Sequence, residues 1–231
     1  MNVAIIPARG GSKRIPRKNI KTFCGQPMLA YPILTATQSG CFDKVLVSTD
    51  DEEIAAIARQ FGAQVSTLRP AELADDHTGT SAVVRYELQQ LALQGYHSQY
   101  CCCIYATTPL LSPALLQQAW QQLQAAPGLN YVFSAARFSF PIQRALLTTA
   151  TGVKPFDPQS IAKRSQDLTP AFHDAGQFYF GRTDAWLSQQ TIFADNSKMQ
   201  VLPHHLVQDI DTPEDWQRAE LLYQLLQQGN D

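Results

Sequence analysis

Residues 3–19 read VAIIPARGGSKRIPRKN. Positions 3–7 form an apolar run closed by proline, the pattern of a strand buried on both faces of a parallel sheet. Positions 9–21 then carry six basic residues in 13, with no acid among them. A strand that runs into such a loop places it at the carboxyl end of the sheet, where open α/β sheets bind their ligands.

Working outward, the strand–loop–helix alternation repeats. A helix is expected over 27–39, stopped by Gly40. A second strand covers 45–48. Asp50, Asp51 and Glu52 open the next helix and set acid at the positive end of its dipole; it ends at Gly62. A third short strand is expected at 64–68, a helix at 80–94 and a fourth strand at 100–105. Ser112-Pro113 starts a helix by cap and N1 proline. A fifth strand follows at 131–135, then strands at 177–180 and 199–202 and a terminal helix over 212–228. This order predicts an α/β fold, a three-layer α/β/α sandwich with a mostly parallel sheet. Residues 1–231 read as one domain. The alternation fails over 137–175, a stretch too long for a plain loop. It reads as an excursion within the domain, with Phe138, Phe140, Phe156 and Phe172 suited to an interface.

Composition narrows the function. Hydrophobic residues make up 45% of the 231, enough for a large core. A net charge of −2 argues against a general nucleic-acid binder. No apolar run is long enough to span a membrane, and the start lacks the basic region of a signal peptide, so a cytoplasmic protein is expected. Of the five cysteines, three are consecutive in CCCIY at 101–105. Neighbours on a strand point to opposite faces, so these read as buried small hydrophobes rather than one metal site.

In a chain of net negative charge the 9–21 loop is a local anion trap. Gly10 and Gly11 permit close backbone approach and conformations that other residues avoid, and exposed amides in such turns make anion nests. A triphosphate suits it. The spacing fits neither GxGxxG nor GxxxxGK[ST], so the Rossmann and P-loop readings fail.

IPARGGSKRIPRKN resembles the opening of the sugar-nucleotide cytidylyltransferases, roughly (I/L)ARxxSKxxPxKN. FDKVLVSTDDEEIAAIARQFGA, LRPAELADDHTGTS and DIDTPEDW resemble three further segments of that family in the same order. The resemblance covers nearly the whole chain, and within the acylneuraminate group it is closest to the pseudaminate branch. Sialic acid members tend to carry QPTSPLR after the fourth strand. Here YATTPLL puts Ala106 for the Gln and Leu111 for the Arg. The resemblance implies transfer of CMP from CTP to the anomeric hydroxyl of a nonulosonic acid sugar, with pyrophosphate released, by a homodimer using Mg²⁺. In such dimers an excursion like 137–175 packs over the neighbouring subunit's site.

Within that frame, Arg9 and Lys13 are the leading phosphate ligands and catalytic cations, Arg as a fork and Lys as a point charge. Ser12 adds a hydroxyl, and Ala8, Gly10 and Gly11 contribute backbone. Arg14, Arg17, Lys18 and Lys21 read either as further contacts or as solvated charge. The resemblance places Asn19 near the cytidine, and Arg69, Asp76 and Thr80 around base and ribose. Asp75 and Asp76 equally suit a capped helix start. Asp209 and Asp211, at i and i+2 on an extended segment, point to one side. Two such carboxylates suit Mg²⁺ beside phosphate oxygens; alternatively Asp211 caps the last helix. The sugar carboxylate needs a cation, assigned to Arg164 ahead of Arg144 and Lys163. Gln166, His173, Asp174 and Gln177 have the polarity to read sugar hydroxyls and amides. No residue stands out as the base for the sugar hydroxyl. Two alternatives stay open: a cytidylyltransferase for another acid sugar (N-acetylneuraminate, legionaminate or KDO-like), and a nucleotide-binding module without turnover.

Overall fold

A computed structural model describes residues 1–75 and 78–228. The first strand, β1 (Asn2–Pro7), lies between β4 (Lys44–Ser48) and β5 (Tyr100–Ile104), parallel to both, with Ile5 opposite Leu46 and Cys103. The six-stranded sheet continues through β9 (Phe172–Arg182) to β6 (Tyr131–Arg137) and β10 (Ser197–Val201). Only β9 runs against its neighbours; β10 and β6 pair in parallel.

The continuous apolar runs follow from coverage of both faces. Ala4, Ile6, Val45, Val47, Cys102 and Ile104 face one layer, which contains α1 (Ala30–Ser39), α2 (Glu52–Gln60) and α4 (Pro113–Ala125). Val3, Ile5, Leu46, Cys101 and Cys103 face the other, under α3 (Thr80–Leu93) and α5 (Thr183–Leu187). The three-layer expectation holds, and the cysteine run is buried strand.

A third cluster seats the basic loop. Ile15, from the middle of the basic segment, packs with Phe23, Met28, Ile210 and Trp216, the last of these on α6 (Pro213–Gln228). The loop after β1 and the segment before α6 are therefore held together by apolar contact, although 192 residues separate Lys18 from Ile210.

Several expected boundaries move. Residues 64–68 are not a strand: a single parallel bridge joins Gln64 to Leu46. Ser66, Thr67 and Leu68 are exposed, so no buried face holds them to the sheet. The first helix begins at Ala30, because Thr22–Phe23 (β2) and Gln26–Pro27 (β3) pair in a hairpin around Cys24 and Gly25, at φ 42° and 94°. Gly40, at φ 64°, ends α1 as expected. The strand expected at 177–180 is an eleven-residue antiparallel one. Within 137–175 lies a second hairpin, β7 (Leu146–Thr149) with β8 (Gly152–Pro155). Both of its strands are exposed almost throughout. No helix among the described residues is long and apolar enough to cross a membrane.

Candidate active site

The loop after β1 forms one wall of a cavity of about 430 Å³, lined by Arg9, Ser12, Lys13, Arg14, Lys18 and Asn19. Thr80, at the start of α3, and Tyr105 to Thr107, just past β5, form the opposite wall. A second cavity of about 220 Å³ shares Arg9 and Thr80 and adds Arg69, Asp75 and Thr78. Arg9 stands between the two and donates to the Asp75 carbonyl at 3.1 Å.

The loop is braced from behind. Asn19 is buried, and its amide donates to the Arg9 carbonyl at 2.9 Å. The Gly10 N–H donates to Asp50 Oδ1 at 2.9 Å. A Cβ on Gly10 would lie 2.8 Å from Asp51 Oδ2. Gly10 is thus required by close approach to protein, and its amide is committed to Asp50. Neither Gly10 nor Gly11 adopts the left-handed conformation expected of this loop; Arg17 does, at φ 55°. Ala8 is fully buried and donates its N–H to the Ser48 carbonyl at 2.8 Å, which fixes the strand–loop junction.

The remaining loop cations each have partners. Arg17 pairs with Asp51 and Glu53. Arg14 reaches Asp211 at 2.8 Å, and Lys18 reaches Asp211 at 3.5 Å and the Ile210 carbonyl. Lys21 sits 4.6 Å from the centre of the Trp216 ring.

Ile210 is fully buried between Asp209, which is exposed, and Asp211, which is half-buried. That alternation sets both carboxylates outward beside the loop. Partial desolvation by the neighbouring loop and the Asp211 charge raise the Asp209 pKa above its ordinary value. The start of α6 uses a different acid. Asp215 accepts from the Thr212 N–H at 2.8 Å, and its own N–H donates to Thr212 Oγ1 at 3.2 Å, a reciprocal cap. Asp211 is therefore released from the capping role that its position suggested.

Arg69 is buried, 3.8 Å from Asp50, with its Nε unpartnered. Burial lowers its pKa, opposed by Asp50 and Glu87. Glu87 is itself buried, and desolvation raises its pKa. Asp76 lies outside the described residues.

The candidate sugar residues are dispersed. Arg164 is on the excursion, with its side chain 73% exposed and paired to Asp167 at 2.8 Å. Gln166 lines a third cavity, of about 450 Å³, with Arg137, Ser139 and His204. Arg144 donates to Ser165 Oγ at 3.2 Å. His173 is exposed and packs edge-on against Phe138. Asp174 accepts from the Gly176 N–H and the Tyr179 hydroxyl. Gln177 is buried with its amide on the Leu206 carbonyl and its Oε1 unpartnered. Sequence reading missed Tyr105 and Arg137. Tyr105 closes a buried strand and resembles core, and Arg137 gains its place only through the excursion.

This chain belongs to the cytidylyltransferase family, whose model matches residues 3–227. It is a nucleotidyltransferase. The pseudaminic acid cytidylyltransferase of Campylobacter jejuni is 46% identical over 97% of both chains. The CMP-N,N'-diacetyllegionaminic acid synthase of Legionella pneumophila is 29% identical over 98% of both. The fold superposes on a CMP:2-keto-3-deoxy-manno-octonic acid synthetase complexed with CTP, with TM-score 0.72 and 17% identity. The match covers 97% of this chain and 99% of that one.

Proposed function

We propose that this enzyme transfers CMP from CTP to the anomeric hydroxyl of pseudaminic acid, giving CMP-pseudaminic acid and pyrophosphate. The observation that carries the reading is the 46% identity over 97% of both chains to the Campylobacter jejuni enzyme. The cationic cavity at the carboxyl end of β1 supports it. Ala106 and Leu111, which stand where sialic acid members tend to carry Gln and Arg, are both buried, and Ala106 gives the cavity a small apolar wall.

Arg9 and Lys13 hold the triphosphate, with Ser12 adding a hydroxyl. Asn19 keeps Arg9 in place, and Arg69 and Thr80 border the smaller cavity for the nucleoside. Phosphoryl transfer of this kind rests on positioning and on charge stabilisation in the transition state. Asp209 and Asp211 have the chemistry Mg²⁺ prefers, hard oxygens that repel one another without a cation. Mg²⁺ held by these two residues would supply charge neutralisation beside the phosphates. Arg14 and Lys18 lie beside Asp211 as well.

The excursion reads as the dimer arm. Phe140 is 83% and Phe156 57% exposed, beside Leu146 and Val153 on the same hairpin region, an apolar patch that a second protomer would cover. In that arrangement Arg164 and Gln166 reach the sugar of the neighbouring protomer. The five cysteines are all free, which suits a cytoplasmic enzyme.

The test is a panel of acid sugars offered with CTP and Mg²⁺, read by pyrophosphate release. Pseudaminic acid is expected to give the highest kcat/KM. A higher value for N-acetylneuraminic or legionaminic acid overturns the substrate, and silence with every acid sugar overturns the enzyme reading.

A further inference from the structure

Asp50 lines neither the large cavity nor the small one, yet it holds the loop that walls the first and the arginine that walls the second. Its Oδ1 accepts the Gly10 N–H at 2.9 Å, and the same oxygen lies 3.8 Å from the Arg69 guanidinium. We propose that Asp50 is a positioning residue: through Arg69 it sets the choice of nucleobase, and through Gly10 it ties that choice to the triphosphate loop. The inference rests on the cytidylyl-transfer reading above.

The arrangement is built into the fold. Asp50 follows β4, the strand that pairs with β1, and the Arg69 N–H donates to the carbonyl of neighbouring Thr49 at 2.7 Å. The Arg69 side chain is 3% exposed. A cation so desolvated needs an opposite charge, and Asp50 supplies it. At 3.8 Å the two are paired by charge, and Arg69 Nε has no hydrogen-bond partner among the described residues. The guanidinium is thus held in place with donor capacity left over, in the wall of the cavity of about 220 Å³. A buried donor without an acceptor is costly, and a ligand in that cavity can supply one.

The chemistry of that donor sorts pyrimidines. A guanidinium only donates. Cytosine presents two adjacent acceptors, O2 and N3, whereas uracil replaces the second with an N3–H donor. A guanidinium held in one orientation takes cytosine and sets donor against donor with uracil. One free to turn also meets the uracil carbonyl oxygens. Buried donors left without an acceptor discriminate far more sharply than a lost apolar contact does. Orientation, and with it selectivity, depends on the carboxylate beside Arg69. Because the same oxygen anchors Gly10, next to Arg9, displacement of Arg69 by an ill-fitting base is passed on to the loop.

The experiment measures dissociation constants of CTP, UTP and inorganic triphosphate by calorimetry. It compares wild type with Asp50→Asn, Asp50→Ala, Arg69→Gln and the double variant Asp50→Asn/Arg69→Gln. Asparagine keeps an oxygen for the Gly10 N–H and removes the charge beside Arg69; alanine removes both. Asp50→Asn is expected to lower the preference for CTP over UTP roughly tenfold and to leave inorganic triphosphate within about twofold. Asp50→Ala should lose the same preference and also weaken inorganic triphosphate about fivefold or more. The double variant should discriminate no worse than Arg69→Gln, because the two residues act as a unit. It contains no unpaired buried cation, so it keeps the test decisive if Asp50→Asn does not fold. An unchanged CTP/UTP ratio in Asp50→Asn, an equal loss for all three ligands, or a further loss of preference when Asp50→Asn is added to Arg69→Gln overturns the proposal. Unchanged triphosphate binding in Asp50→Ala overturns the link to the loop. A wild-type enzyme without preference for CTP overturns the CTP reading and the proposal together, whereas turnover of a different acid sugar changes only the sugar assignment.

Discussion

Arg17 donates to both carboxylate oxygens of Asp51, at 2.5 and 3.1 Å. The same carboxylate accepts the N–H groups of Glu53 and Ile54 at 3.0 Å each, capping α2. One acid thus starts a helix and anchors the back of the basic loop. Removing it in Asp51→Ala should cost about 1–3 kcal/mol from the lost cap and fork. That corresponds to a fall of roughly 2–10 °C in Tm for a domain of this size. Arg17 holds the Asp51 pKa below its ordinary value of 3.8. A depressed pKa stabilises the fold above the ordinary value, and the contribution is lost as pH falls through the folded one. Thermal unfolding between about pH 2 and pH 5 should therefore show a shallower acid slope in Asp51→Asn than in wild type.

Adjacent glycines should respond differently. In Gly10→Ala the new methyl meets Asp51 at 2.8 Å, whereas at Gly11 nothing lies within 4 Å. Gly10→Ala should lose about 1–3 kcal/mol of stability and weaken CTP binding with it. Gly11→Ala should stay within about 0.5 kcal/mol of wild type. Equal losses in denaturant unfolding would show that loop mobility, not the contact with Asp51, governs both.

Triphosphate binding should depend on the cationic wall. Arg9→Ala and Lys13→Ala should each weaken CTP binding by about ten- to hundredfold, the worth of a charge-assisted contact. Circular dichroism should be unchanged. Wild-type CTP affinity by calorimetry in both variants would move the phosphate site elsewhere.

As the proposed Mg²⁺ ligands, Asp209 and Asp211 would each lose a hard anionic oxygen in Asp209→Asn and Asp211→Asn. The Mg²⁺ dependence of pyrophosphate release should move to higher concentration, with a lower maximal rate. Stability should hardly change, because the Arg14 and Lys18 pairs that Asp211 loses are partly exposed and worth roughly 1 kcal/mol or less. Full activity in chelator would remove the metal from the mechanism.

The arm should govern assembly and sugar together. Phe140→Asp with Phe156→Asp should give monomers in sedimentation, with CTP affinity kept and turnover lost. Arg164→Ala should raise the sugar KM about tenfold or more and leave CTP binding unchanged. Turnover by a monomer at the wild-type rate would confine the sugar site to one protomer.

The layered architecture and the basic loop at the carboxyl end of the first strand were both legible in the sequence. Both are written in local, periodic signals: VAIIP and CCCIY are apolar without interruption because both faces of their strands are covered, and a run of six cations is conspicuous in any fold. The i, i+2 spacing of Asp209 and Asp211 also set them on one side, as the buried Ile210 between them shows. What only tertiary structure decided is which partner each polar group takes. Gly10 was legible as a special position, but the neighbour that requires it, Asp51, comes from another strand end. The alternative of Asp211 as a helix cap was closed only by Asp215, which fills that role. The packing of the Tyr105 ring against the Tyr179 ring was invisible because β9 returns antiparallel beside β5. That pairing is made across some seventy intervening residues and has no periodic trace in the chain. Local pattern fixes what each segment becomes, and the contacts that create chemistry form only when distant segments pack.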